Sequence, residues 1–272
     1  MSECIVITSG KGGVGKTTAT ANVGLALAMS GQRVAVLDAD IGLRNLDVIL
    51  GLENRIVYDL VHVVEGECRL KQALIKDKRV EGLHLLPAAQ TRDKNAVTPD
   101  QMRRLVAQLK ETFDYVLVDC PAGIEQGFRN SVAGADRALI VTTPEVSAIR
   151  DADRIIGLVE AAELPEPHLV INRYRSNMVR SGDMLSREDI LEILAIPLVG
   201  IVPESEEIII HANRGQPAVL DPESKVGEAY RRIARRLQGE KDIPFVALET
   251  SPGFWTSVKR WMGFGAAREV AS

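Results

Sequence analysis

Residues 10–18 read Gly10-Lys11-Gly12-Gly13-Val14-Gly15-Lys16-Thr17-Thr18. The stretch follows an apolar, β-rich run at 4–8 and opens a helical pattern over 16–29 that closes at Gly31. It fits GxxxxGK[ST], a loop whose glycines let successive backbone N–H groups turn inward around a polyphosphate, at the positive end of a helix dipole. In that geometry Lys16 reaches the β and γ phosphates and the Thr17 hydroxyl holds Mg2+. The same residues also satisfy Gly10-x-Gly12-x-x-Gly15, and Asp38 lies about twenty residues further on, so a dinucleotide fingerprint competes. Two features decide against it. A dinucleotide site has no use for Lys16-Thr17, nor for Asp119 closing the run Tyr115-Val116-Leu117-Val118, where a Walker B acid binds water on Mg2+.

Working outward, short β-rich runs recur at 4–8, 33–37, 83–86, 115–119, 138–142, 168–171 and 198–202, with helical segments between them. That alternation predicts an α/β fold, a mostly parallel sheet flanked by helices on both faces. Helices are expected over 16–29, over 99–112 with Thr98 as N-cap and Pro99 at the first position, over 146–162, and over 225–237. In the 146–162 helix Ile149, Ala152, Ile156 and Val159 can face the sheet. Arg150, Asp151, Asp153, Arg154 and Glu160 then look outward, a face suited to partner contacts. The P-loop domain is expected to span 1–238, followed by a linker over 239–251.

Composition is compatible with this and excludes much else. The chain has 272 residues, 46% apolar and 26% charged, near the globular average and unlike disordered, collagen-like or coiled-coil chains. A net charge of −4 argues against a surface given over to nucleic acid, and no nucleic-acid partner is expected. Cys4, Cys68 and Cys120 form no CxxC, so neither a disulfide framework nor a metal spacing is read, and a reducing cytoplasm is expected. Cys120 reads as a small packing residue. No run of eighteen apolar residues occurs, and Met1-Ser2-Glu3 lacks a basic lead-in, so spanning and secreted readings are set aside.

Lys11 departs from an ordinary P-loop. A second lysine in the loop adds charge where a γ-phosphate sits and can act as an arginine finger does, in cis or across a dimer. With it, KGGVGKTT resembles the deviant Walker A signature of the MinD/ParA family of dimeric P-loop ATPases. Asp38 and Asp40 in Leu37-Asp38-Ala39-Asp40 lie at the carboxyl end of a strand beside the P-loop, where α/β sheets place ligands. The resemblance implies that Asp40 orients the attacking water, that Asp38 and Asp119 support Mg2+ with Thr17, and that Asn45 senses the γ-phosphate. Asp38 can also be read as a helix cap, and Asp47 as a surface charge. Asp119-Cys120-Pro121-Ala122-Gly123 suits a loop that rearranges when the γ-phosphate leaves. For the base, the resemblance places Asn172 at the purine edge and Arg173 or Pro203 on its face. No NKxD motif is present, which favours ATP over GTP.

Aromatics make up only 4% of the chain, yet four of the eleven fall within 252–265, both tryptophans among them. Ser251 can cap a helix with Pro252 at its first position. Phe254, Trp255, Val258, Trp261 and Met262 then span about 120° of arc, with Lys259 and Arg260 outside it and Phe264 beyond. No acid interrupts 252–265. This is the composition of a helix lying in the interface of an anionic membrane, preferred here to a docked helix, a partner-binding helix or a disordered tail. So short a helix is marginal in water until lipid receives its apolar side. Two tails on one dimer add avidity of about 10² to 10⁴ without any new contact. Residues 266–272 read as a disordered extension.

The resemblance reaches beyond the P-loop. Residues 40–47 (DIGLRNLD), 72–79 (QALIKDKR), 86–94 (LPAAQTRDK) and 182–186 (GDMLS) are similar to the septum-placing members of the family. This implies an ATP-bound homodimer, peripheral on the inner face of the cytoplasmic membrane, and a MinC-like division inhibitor as partner. It also implies a MinE-like activator or a polar substitute. Two rival readings are a ParA-like DNA-partitioning ATPase, which needs a basic patch and no tail, and an iron–sulfur carrier or reductase of the nitrogenase iron-protein type, which needs cysteines paired at a dimer axis.

Overall fold

In a computed structural model, residues 2–93, 96–165 and 167–246 are described. The strands are β1 (Glu3–Thr8), β2 (Val34–Asp38), β3 (Ile75–Lys76), β4 (Leu83–Leu86), β5 (Tyr115–Asp119), β6 (Arg137–Thr142), β7 (His168–Tyr174) and β8 (Leu198–Pro203). The helices are α1 (Lys16–Met29), α2 (Leu46–Leu50), α3 (Leu60–Val64), α4 (Leu70–Ala73), α5 (Pro99–Lys110), α6 (Gln126–Val132), α7 (Val146–Ala161), α8 (Ser176–Ser181), α9 (Arg187–Leu194), α10 (Glu207–Asn213) and α11 (Lys225–Leu237).

The strands form one sheet in the order β3-β4-β2-β5-β1-β6-β7-β8, parallel throughout except where β3 runs antiparallel to β4. Side chains along each strand alternate between two apolar layers, the mark of a sheet covered on both faces. Cys4 and Val6 of β1 join α5, α7 and α9 on one side. Ile5 and Ile7 join α1, α2 and α11 on the other.

The expected helices appear almost as read. Thr98 caps α5 by accepting from the Gln101 N–H, and Met102, Leu105, Val106 and Leu109 are its buried face. In α7, Ala148, Ile149, Ala152, Ile155, Ile156 and Val159 are buried. The helices shorter than nine residues were not expected, nor was β3. A strand of two residues and helices of one or two turns carry too few positions for periodicity to register.

Among the described residues no helix is long and apolar enough to cross a membrane. The amphipathic segment 252–265, with Phe254, Trp255, Val258, Lys259, Arg260, Trp261, Met262 and Phe264, lies outside the described residues, as does 266–272.

Candidate nucleotide site

β1 delivers the chain to the carboxyl end of the sheet, where residues 9–15 turn back into α1. Gly15 is the N-cap of α1 at φ 97°, with no side chain capping the helix. The amides of the first turn are thereby presented to an anion rather than to a protein side chain. A Cβ on Gly15 would lie 2.3 Å from Asn172 Nδ2, so only glycine fits. Lys16, the first helical residue, is 8% exposed. Thr17 and Thr18 follow it, half-buried, Thr17 beside Asp119 of β5 and Thr18 on the cleft lined by Asn172 and Pro203.

Asp38 and Asp119 are register partners across β2 and β5, so two buried carboxylates end up side by side. Burial, then the charge of Asp119, pushes the Asp38 carboxyl above its ordinary range, against hydrogen bonds from the Asp40 and Leu46 amides. Asp119 is raised by burial too, while Lys16, Thr17 and Thr20 pull it down. Thr20 Oγ1 donates to Asp119 Oδ1 at 3.1 Å. A hard cation arriving with phosphates relieves this crowding. Thr17, Asp119 and Asp38 offer oxygen donors of the kind Mg2+ takes in ones and twos beside phosphate oxygens. The residues fit the ion.

The loop after β2 is built on Asp38. Its Oδ1 accepts from the Asp40 N–H at 2.9 Å, and its Oδ2 from the Asn45 and Leu46 N–H groups at 3.2 Å. Asp38 therefore does cap a helix, α2, as well as standing beside Asp119. Asn45 is exposed, with its side chain making no cap bond. Asp40 is partly exposed at the rim of the same crevice. Asp47 corrects the reading as a surface charge: it is 1% exposed and lies 3.0 Å from the Arg44 guanidinium, with Arg44 at φ 40°. The three-residue spacing to Arg44 was the available signal.

Lys11 and Lys16 part company. Lys11 Nζ lies 3.7 Å from Glu145 Oε2, both side chains about half exposed, at the N-cap of α7. Gly10 is pressed against the same helix. A Cβ there would lie 2.2 Å from the Asp151 carbonyl oxygen. Asp151 is therefore partly buried against the P-loop, whereas Arg150, Asp153, Arg154 and Glu160 are exposed as expected.

Asn172 Nδ2 donates to the Val14 carbonyl at 2.7 Å, buried beneath the loop. One of its two amide N–H groups goes to the P-loop, which leaves the second N–H and the Oδ1 acceptor to meet a base; an acceptor suits the amine of adenine. Gly15, Thr18, Asn172, Arg173, Pro203, Glu204 and Ser205 line one cleft, so the expected base-site residues come together. Arg173 sits at φ 55°, with Nε 4.0 Å from Glu204. Cys120 is buried and its thiol is pushed up to about 11 by that burial, which suits a packing residue. Sequence reading missed Glu145, Thr20 and the contact of Asp151. Of these only Thr20, one turn after Lys16, left a signal.

Residues 5–218 match the CobQ/CobB/MinD/ParA nucleotide-binding domain family. The chain belongs to the MinD/ParA family. A septum site-determining protein MinD of Bacillus subtilis (strain 168) is 55% identical over 266 residues, 97% of this chain and 99% of that protein. Among solved structures, a MinC:MinD cell division complex from Aquifex aeolicus superposes with TM-score 0.84 at 51% identity, covering 89% of this chain and 98% of that one. A MinD from Pyrococcus horikoshii OT3, complexed with Mg-ADP, gives TM-score 0.79 at 31% identity, covering 87% and 96%. This MinD-type chain is a P-loop ATPase.

Proposed function

We propose that this ATPase binds Mg-ATP, dimerises, and attaches through its C-terminal segment to the inner face of the cytoplasmic membrane. There it recruits a MinC-like division inhibitor and so governs where the septum forms. A MinE-like activator or a polar substitute positions it. The observation that carries the reading is the separation of the two lysines. Lys16 is buried in its own cradle beside Asp119, whereas Lys11 stands at the rim, half exposed, in a 3.7 Å ion pair with Glu145. An exposed pair of this kind contributes about 0–1 kcal/mol, so a γ-phosphate on a second copy can outcompete Glu145 for Lys11.

In this reading residues 10–18 and Lys16 hold the phosphates, and Thr17, Asp38 and Asp119 hold Mg2+, which neutralises the charge gathering on the phosphates. Asp40 orients water for attack, Asn45 responds to the γ-phosphate, and Asn172, Arg173 and Pro203 hold the base. The septum assignment rests on the 55% identity to the Bacillus protein, and the inhibitor on the Aquifex complex.

Co-sedimentation with anionic liposomes tests it. The full chain should pellet with ATP and remain in solution with ADP or no nucleotide, and removing 252–272 should abolish pelleting while ATP binding persists. Lys16→Ala should lose the ATP dependence. Trp261→Glu should keep ATP binding and lose lipid. Pelleting that ignores the nucleotide, or survives loss of 252–272, refutes the proposal.

A further inference from the structure

α11 carries Arg232 and Arg236 one turn apart, on the side turned toward the chain that follows it. Arg232 Nη1 donates to the carbonyls of Pro244 and Phe245, both at 2.9 Å. Arg236 Nη2 donates to the Ile243 carbonyl at 2.6 Å and Nη1 to the Val199 carbonyl at 2.8 Å, while its guanidinium lies 4.2 Å over the Phe245 ring. Glu228 holds the Arg232 fork from below, with Nε to Oε1 at 2.7 Å. Arg235 pins Glu240 at the start of the same stretch.

Val199 belongs to β8, the edge strand of the sheet. Phe245 packs against the apolar layer of α7 and α9, and Val246 against that of α1 and α11. Residues 243–246 thus run along the sheet edge with neighbouring side chains on opposite faces, as an extended chain does. Arg236 stands in for the ladder between this segment and β8, and a raw edge is covered. Val246 ends in a cleft with Pro203, Glu204 and Ser205, three residues that also line the base cleft.

Part of what the sequence offers as a linker is therefore fastened to the ATPase body. We infer that residues 239–246 are a strap, latched by Arg232 and Arg236, that fixes where the membrane-binding segment leaves the body and keeps its tether short. The inference rests on the membrane reading proposed above. With the latch closed, five residues (247–251) lie between the strap and 252; with it open, eleven (241–251) follow Glu240, which Arg235 and its own amide still hold to α11. Fully extended, those lengths reach about 17 Å and about 37 Å. Effective concentration falls roughly as the −3/2 power of tether length, so opening the latch lowers it about threefold for the second tail of a dimer.

The test is binding of the full chain, with ATP, to vesicles of phosphatidylcholine and phosphatidylglycerol. Arg232→Ala with Arg236→Ala should weaken vesicle affinity about threefold, leave ATP hydrolysis in solution unchanged, and speed tryptic cleavage after Lys241 in the strap. Inserting six Gly/Ser residues between positions 250 and 251, with the latch intact, should give the same loss without touching the folded body. On that lengthened background the latch variant should cost only about twofold more, because a long tether is less sensitive to further length. A merely structural role for the arginines predicts no such equivalence.

Unchanged or raised affinity in the insertion variant overturns the strap, as does a latch variant that is cleaved fast after Lys241 yet binds vesicles like the parent. A parent chain that fails to bind vesicles with ATP overturns the membrane reading itself, and the two failures are told apart by that control.

Discussion

Gly10→Ala tests whether the phosphate loop and α7 form one packed unit. A Cβ on Gly10 would lie 2.2 Å from the Asp151 carbonyl oxygen, 2.4 Å from its carbon and 2.6 Å from its Cβ, where ordinary contacts are 3.4–4 Å. The obstacle is backbone, so no rotamer change can clear it. Either the loop or the first turns of α7 must move by about 1 Å, and α7 is held by Ala148, Ile149 and Ala152 against the sheet. Overpacking of this kind costs about 1–3 kcal/mol. At roughly 2–4 °C per kcal/mol for a chain of this size, the nucleotide-free protein should melt about 2–12 °C lower. Gly12→Ala is the internal control. Its Cβ would meet only the Ala122 methyl, at 3.7 Å, and Gly12 is not among the positive-φ glycines, so its melting point should stay within about 2 °C of the parent. Thermal denaturation followed by circular dichroism, with chelator present, reads both. If Gly10→Ala melts with the parent and with Gly12→Ala, the contact does not exist as described, and Glu145, at the head of α7, loses its rigid placement opposite Lys11.

Asn172→Ala removes the 2.7 Å bond to Val14 and leaves that carbonyl unpaired beneath the loop, so stability should fall by about 1–3 kcal/mol in urea titrations even without nucleotide. A residue serving only the base would leave the nucleotide-free protein unchanged. Asp40→Ala should still give an ATP-bound dimer by light scattering, but with phosphate release slowed about 10² to 10⁴-fold; turnover at the parent's rate removes Asp40 from water positioning. The Asp38 and Asp119 carboxyls are raised in the folded state, so each holds its proton in the native protein at pH values where the unfolded chain has released it. Stability of the nucleotide-free protein should therefore be greatest in mild acid and decline as pH rises from the ordinary carboxylate range toward neutrality. Saturating Mg-ATP should flatten that decline, and Asp38→Asn should reduce it; a slope that Asp38→Asn leaves untouched assigns it to other groups.

The fold was legible because its signals are long or chemically singular. The P-loop has one reading once Lys16, Thr17 and Asp119 are taken together, and strands buried on both faces show as unbroken apolar runs. Helices of twelve residues or more repeat their buried face often enough to be counted, as α5 does with Met102, Leu105, Val106 and Leu109. What escaped were contacts between elements distant in sequence. Glu145 meets Lys11, and Asp151 meets Gly10, only because β6 lies beside β1 in the sheet. Asn172 reached the site by resemblance, and its bond to Val14 spans 158 positions that no local pattern connects. Asp47 was misread because a lone acid beside a short helix looks solvated until Arg44, turned to φ 40°, is seen to cover it.

α2 shows how much such long-range contacts decide. A helix of five residues has no stability of its own, since nucleation alone exceeds what one or two turns return. Its N-terminal amides are taken by the Asp38 carboxylate. At its other end the Leu50 carbonyl accepts from Arg79 Nη2 at 2.5 Å, while Arg79 Nη1 reaches the Gly215 carbonyl and the buried Asp77 carboxylate orients the guanidinium. Gly51 and Gly215 touch so closely that a Cβ on Gly215 would lie 2.6 Å from the Gly51 Cα. α2 is thus tied at both ends by charge, and one of those charges belongs to the crowded pair at the end of β2 and β5. Protonating Asp38 removes an acceptor from the helix it caps, whereas a cation beside Asp119 stabilises the carboxylate and the cap together. The charge on Asp38 therefore bears directly on α2 and on Asn45 at its head, which ties the cap of this helix to the crowded pair of carboxylates.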